Sequence, residues 1–478
     1  MKNRTQTNIL REGLNRTAAV VNGLLANQLL RKASLNLVQK FIHQKFVTSN
    51  LHTRAIREAQ YRAIVNLLNA MDRGLKENLL CPSVRNRLLR NFLGKVVVRN
   101  PRVIQEFQAT YQLPPPGFVV ISPEKRCNLR CTGCYAASGA HTGEHLSFAV
   151  MNRLVTEKTA TWDSYFTVIS GGEPLLWEDD GKNILDLFAA QPDNYFLMFT
   201  NGTLITETVA KTLAKLGNVT PAISVEGFAE QTDQRRGKGV FNRVLQAMAN
   251  LRAAGVPFGI SVTATRHNAE LVLSAEFVDF FFNQQKALYG WLFQYMPIGR
   301  GPDFSLLVTP EQRLWMLKRE LELIEKQGIF YMDFWNGGIY ASGCIAGARS
   351  GGYFYVEWNG NITPCVFIPY AIGNINEIYR RGGSVNEVLN HPLFKKIREF
   401  QFNYGYQQRG KVENWFAPCF IRDHYDLAGQ TFRGCKVMPI DETAEQALND
   451  PSYEATMIEY GRKFRTLSDE IWQKRFGK

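Results

Sequence analysis

ISPEKRCNLRCTGCYAAS, residues 121–138, sets Cys127, Cys131 and Cys134 inside eight residues, directly behind the apolar run GFVVIS at 117–122. The spacing C-x3-C-x2-C is one donor short of a tetrahedral thiolate set. Either a fourth ligand comes from elsewhere, or one metal position is left open. Read alone, the triad is also half of a zinc site. The chain that follows narrows the choice. From 118 to about 300, short β-rich runs (GFVVIS, YFTVIS, YFLMFT, PAISV, FGISVTA, WLFQYM) alternate with helical patterns such as SFAVMNRLVTEKTA and ETVAKTLAKLG. Six strand-then-helix units in series predict an α/β fold, a parallel sheet rolled into a partial (β/α)6 TIM-like barrel. Reactive groups in such barrels sit on the loops after the strands. The cysteine triad, SGGEPL, TNGT, SVEG, TATRHN and MPIGRG occupy six such places in chain order.

The rest of the chain divides by composition. It has 478 residues, 45% hydrophobic and 12% aromatic, enough for several domains and a large core. Residues 1–126 hold 21 Lys/Arg against 6 Asp/Glu, so this quarter carries the whole net charge of +13. Leu and Val recur there at helical spacing (Leu10, Leu14, Val21, Leu24, then Leu35, Val38, Phe41), predicting helix from 8 to about 92. YQLPPPG at 111–117 ends that pattern, because consecutive prolines cannot continue a helix. The expected division is an all-helical basic region at 1–112, the barrel at 113–305, a small Cys-rich α+β domain at 306–440 and a charged helical tail at 441–478. No apolar run reaches the ~18 residues of a membrane span. Eight cysteines in this length do not make a disulfide scaffold. A cytoplasmic, reduced protein is expected.

The loop motifs together resemble the radical S-adenosylmethionine (radical SAM) superfamily. In that family three cysteines hold a [4Fe–4S] cluster and the fourth iron stays open for SAM, which would account for the missing donor. The resemblance implies cluster ligation by Cys127, Cys131 and Cys134, with Gly171, Gly172 and Glu173 near the SAM amino group. It implies Ser224 near the ribose and Arg236, in DQRRG, for the SAM carboxylate. Glu226 stands where the family's S-x-D-G pattern has Asp. The residue before the last cysteine, often aromatic in the family, is Gly133, and Tyr135 follows. MPIGRG matches the last barrel strand, whose backbone lies against the adenine. The second group, Cys344, Cys365, Cys419 and Cys435, with Gly360 five residues before Cys365, resembles SPASM and twitch domains. It implies one auxiliary [4Fe–4S] cluster with all four irons held. Zinc on the same thiolates is the alternative, and His424 is a weaker candidate ligand or plain structure.

The implied activity is reductive cleavage of SAM to a 5′-deoxyadenosyl radical that abstracts hydrogen from an unactivated C–H bond. A flavodoxin or ferredoxin would supply the electron. Two substrates compete. The basic amphipathic helices favour an anionic membrane surface bound through residues 1–60, placing the protein on the inner face of the membrane, with a lipid or other hydrophobic substrate. The SPASM likeness favours peptide or protein modification. A third reading makes the basic region a helical cap whose arginines solvate one face. Its spacers are aliphatic, not stacking aromatics, which argues against nucleic acid. Asp333, Tyr353 and Glu357 lie near the substrate side by chain position alone, and no acid or base is assigned.

Overall fold

A computed structural model describes residues 28–47, 52–97, 99–140, 143–408, 412–435 and 437–477. All six expected strands form: β1 (Phe118–Ile121), β2 (Phe166–Ile169), β3 (Tyr195–Thr200), β4 (Val219–Val225), β5 (Gly259–Ala264) and β6 (Tyr289–Gln294). They pair in parallel and in sequence order, Val119 opposite Thr167 and Ile260 opposite Gly290. Between them run α3 (Phe148–Trp162), α4 (Ile184–Ala190), α5 (Glu207–Leu216), α6 (Ala229–Arg236) and α7 (Val240–Ala254). Local chemistry sets their ends. Thr206 caps α5 by accepting from Val209 N at 3.2 Å, and Gly217 stops it in the left-handed region at φ +71°.

The sheet extends past the sixth strand. β7 (Tyr331–Asp333) follows α8 (Pro310–Glu325) and pairs with β6. On the opposite edge, β8 (Tyr353–Val356) pairs in parallel with β1, and β9 (Ile362–Thr363) runs antiparallel beside β8. The order is β9-β8-β1-β2-β3-β4-β5-β6-β7, an open barrel whose edges do not meet. The segment carrying Cys344 and Cys365 is thus built into the same sheet.

The basic region packs beneath this sheet. Its described helices are α1 (Gln28–Val47) and α2 (Arg54–Lys76), and the expected helix over 8–27 lies outside the described residues. From Asn66 to Arg99 the chain touches each connection that enters a strand, in reverse order. Asn66 donates to Ile324 O (2.8 Å), Arg73 to Ala287 O (2.7 Å), Cys81 N to Gly255 O (2.8 Å) and Ser83 to Ala214 O. Arg87 and Asn91 donate to Pro192 O, and Arg99 to Trp162 O and Pro116 O. Most of these carbonyls end barrel helices, where the last turn lacks partners and the helix dipole is negative. Guanidinium and amide donors answer both needs, so part of the positive charge is structural. Among the described residues no helix is long and apolar enough to cross a membrane.

Candidate functional site

The cysteine loop follows β1 and is gripped by three other loops. Gly172 N donates to Glu124 O and Glu173 N to Arg126 O, both at 2.9 Å. Thr132 N donates to Arg235 O at 3.1 Å, and Arg235 Nε returns a bond to Thr132 O at 3.2 Å. Arg300, in MPIGRG, donates through its amide to Cys134 O (2.9 Å) and through its guanidinium to Cys131 O (2.8 Å) and Ser138 O. Arg235 and Arg300 were not singled out from the sequence, although both lie inside quoted motifs.

Gly133 has φ +62°, and a Cβ there would sit 2.6 Å from the Tyr295 ring. The Tyr295 ring, from another strand end, thus occupies the space beside the residue before Cys134. MPIGRG also braces the cysteines: Gly299 lies against the Cys134 and Tyr135 carbonyls. Gly172 behaves alike, with Arg126 O where its Cβ would be. The glycines serve loop-on-loop packing, and they also line the cavity described below.

Glu173 is fully buried and its carboxylate is taken up internally, by Thr200 Oγ1 (2.7 Å), Asn201 N (2.8 Å) and Leu175 N (3.2 Å). It joins the ends of β2 and β3 and does not line the cavity. Glu226, in the family's Asp position, accepts from Arg235 Nη1 (2.6 Å), from Arg236 Nε (2.8 Å) and Nη2, and from Thr263 N (3.1 Å). Burial opposes the charge on Arg236. The Glu226 carboxylate and the sulfurs of Cys131 and Cys134 outweigh it and hold the guanidinium charged. Arg236 Nη1 lies 3.9 Å from Cys131 Sγ.

These residues meet in one cavity of about 930 Å³ on the concave face of the sheet. Cys127, Cys131, Cys134, Gly171, Gly172, Ser224 and Arg236 line its upper end, beside Asn201 and Met296. Below them the strands contribute alternate residues, Phe118 and Val120, Phe166 and Val168, Leu197 and Phe199, Trp291 and Phe293. Asp333 and Gln294 are among the polar residues of the lining: Gln294 Nε2 donates to Asp333 Oδ2 at 2.7 Å, while Gln294 Oε1 is buried without a partner. Burial raises the Asp333 carboxyl above its usual range, against the bonds from Gln294, Asn336 and Trp335. Glu357 does not line the cavity.

The thiols suit a metal cluster. Burial first, then Glu173 and the Cys131 and Cys134 sulfurs, push the Cys127 thiol up to about 12 despite the bond from Leu129 N. Crowded buried thiols ionise only when a cation repays the cost, which cluster irons do. In the second group, Gly347 N donates to Pro364 O (2.9 Å) and Tyr353 N to Ile345 O (2.9 Å), drawing Cys344 towards Cys365. Gly338 packs on Trp415 and Pro418, bringing in Cys419. Burial raises the Cys419 thiol, followed by Asp423, Cys344 and Cys365, and Tyr353 OH lies 2.9 Å from Cys365 Sγ. Cys435 stands apart, at the far end of the ten-residue helix α9 (Tyr425–Gly434), about 15 Å long. Beyond its own burial, the neighbour acting on it is Lys396. Cys344, Cys365 and Cys419 thus lie within electrostatic reach of one another, a group that Cys435 does not join. His424 is engaged through both ring nitrogens, with Ala417 O (3.1 Å) and Arg465 (3.3 Å). Among the described residues, no three His, Cys, Asp or Glu side chains form a single-ion site.

Comparison with known proteins agrees with this layout. Residues 121–276 match the radical SAM superfamily, and residues 344–414 match the SPASM iron–sulfur cluster-binding domain. Mycofactocin maturase MftC of Mycobacterium tuberculosis is 28% identical over 74% of this chain and 88% of its own length. The AdoMet-dependent heme synthase of Methanosarcina barkeri is 27% identical over 57% of this chain and 82% of its own. Streptococcus suis SuiB bound to S-adenosylmethionine shares the fold at TM-score 0.51 and 17% identity, over 63% of this chain and 72% of that one. An iron–sulfur cluster open to SAM, SAM itself and an auxiliary iron–sulfur site are the cofactors that these two domains imply. The chain is a radical SAM enzyme with a SPASM-type auxiliary domain.

Proposed function

We propose that the chain matures a peptide, taking hydrogen from a C–H bond of a residue held in the central cavity. One observation carries this reading: a single apolar cavity runs from the three cysteines to Phe367, two residues beyond Cys365. When bound, the reduced cluster supplies the electron that splits SAM into methionine and the 5′-deoxyadenosyl radical. Cys127, Cys131 and Cys134 are the thiolates that hold it. The charged Arg236 faces the SAM carboxylate, Gly171 and Gly172 offer backbone at the cavity edge, and Ser224 offers a hydroxyl to the ribose. The aromatic walls keep water, a competing hydrogen source, away from the reacting carbon. Cys344, Cys365 and Cys419 hold the auxiliary cluster. A flavodoxin or ferredoxin is the reductant.

Peptide is preferred because the maturase match spans 74% of this chain against 57% for the heme synthase. Nothing supports a lipid substrate, and the arginines at the base of the barrel have structural partners. The test is anaerobic turnover of reconstituted protein with dithionite and SAM, quantifying 5′-deoxyadenosine with a ribosomal precursor-peptide fraction and, separately, with a total lipid extract. Stimulation by peptide is expected. Stimulation by lipid alone would overturn the peptide reading.

A further inference from the structure

α2 does more than close the bottom of the barrel. Gln60, Ala63, Ile64 and Leu67 fall at i, i+3, i+4 and i+7, one helical face, and all four line the cavity at the end opposite the cysteines. Ile64 and Leu67 are half-buried, yet neither belongs to a packed apolar cluster among the described residues. They face the cavity space itself. The helix that presents them is pinned along its length. Gln60 Nε2 donates to Ile339 O and Ser342 Oγ (both 3.0 Å), Asn66 Nδ2 to Ile324 O (2.8 Å) and Arg73 to Ala287 O (2.7 Å). Ile64 and Leu67 therefore present an apolar, unpacked surface that is held in place, and it continues the aromatic wall formed by Trp291 and Phe330, whose rings meet edge-on at 5.9 Å.

We propose that Ile64 and Leu67 are specificity-determining residues. They form a floor that sets the length of the apolar group the substrate lowers into the barrel, and so which carbon is presented at the SAM end. This rests on the proposed reading of the cavity as the substrate site. A substrate with one extended apolar side group fills the space. A wholly polar one leaves the floor uncovered and forgoes the gain of taking that apolar surface out of water.

The test uses the full-length reconstituted holoenzyme with SAM bound and, as probes, N-acetyl amino-acid amides with straight side chains from norvaline to 2-aminododecanoic acid. Binding is followed by calorimetry. Each added methylene should tighten binding about fourfold while the chain still has cavity to fill. Beyond the length that meets the floor, the gain should stop. Leu67→Trp should move that break to shorter chains, and Ile64→Ala and Leu67→Ala to longer ones. Arg62→Ala, on the exposed face of α2, should leave it in place. If Leu67→Trp does not fold, the two alanine variants still decide the matter. A break at the same length in every variant, or no dependence on length in the unaltered protein, overturns the floor. Release of 5′-deoxyadenosine from SAM, with dithionite as electron donor and the precursor-peptide fraction as hydrogen source, is measured in parallel. Its absence would sink the radical reading independently of the binding series.

Discussion

Gly172 lies so close to Arg126 that a Cβ on the glycine would stand 2.1 Å from the arginine carbonyl oxygen. That contact clamps the second loop onto the residue preceding Cys127, and backbone cannot yield as a flexible side chain can. Gly172→Ala should push the cysteine loop off its seat. The expected result is loss of most of the iron bound at that site, read by iron content and the EPR signal of the reduced cluster, with stability lowered by about 1–3 kcal/mol.

Glu226 carries two arginines in a nearly dry environment, its side chain 1% exposed and those of Arg235 and Arg236 14% and 10%. Glu226→Ala would strand two buried cations. A loss of about 3–5 kcal/mol is expected in urea unfolding, together with weakened SAM binding. Glu226→Asp is expected to recover part of both, since a carboxylate is retained.

Glu357 predicts a pH dependence. Burial, against bonds from Asn359 and Asn361 and reinforced by Glu144, raises its carboxyl to about 7 from an ordinary 4.5. The folded state then binds more protons than the unfolded chain between those values, so this group's contribution is fully present below about 4.5. It declines as pH rises to about 7, by about 3 kcal/mol in all. Unfolding midpoints measured across that range should show the slope. Glu357→Gln should remove this part of it.

Cys435 gives the sharpest test of the auxiliary site. Cys344→Ser, Cys365→Ser or Cys419→Ser should each remove about half of the bound iron, one of two four-iron clusters. Cys435→Ser should leave iron content and the EPR spectrum unchanged. Zinc in place of iron, found by elemental analysis of the anaerobically purified protein, would revive the zinc-site alternative.

Much of the fold was legible because it is local. Alternating apolar residues, caps such as Thr206 and the PPPG break mark strands, helices and the end of the basic region without reference to anything distant in the chain. The cysteine triad, the glycine pair and Arg236 were legible because spacing and order survive in one dimension. The partners of Glu173, Thr200 and Asn201, were not legible, because they lie on the next strand end.

The sequence by itself determined the strand-and-helix series, the chemistry at the upper strand ends and the family. Only the tertiary structure decided how far the sheet runs, what the basic region does and which cysteines meet. Those depend on long-range contacts: β8 returning to pair with β1, Arg73, Arg87 and Arg99 meeting carbonyls 214, 105 and 63 residues away, and α9 carrying Cys435 off from its fellows. Charge and spacing record which groups exist. The packing of helices and sheet sets the partners they find.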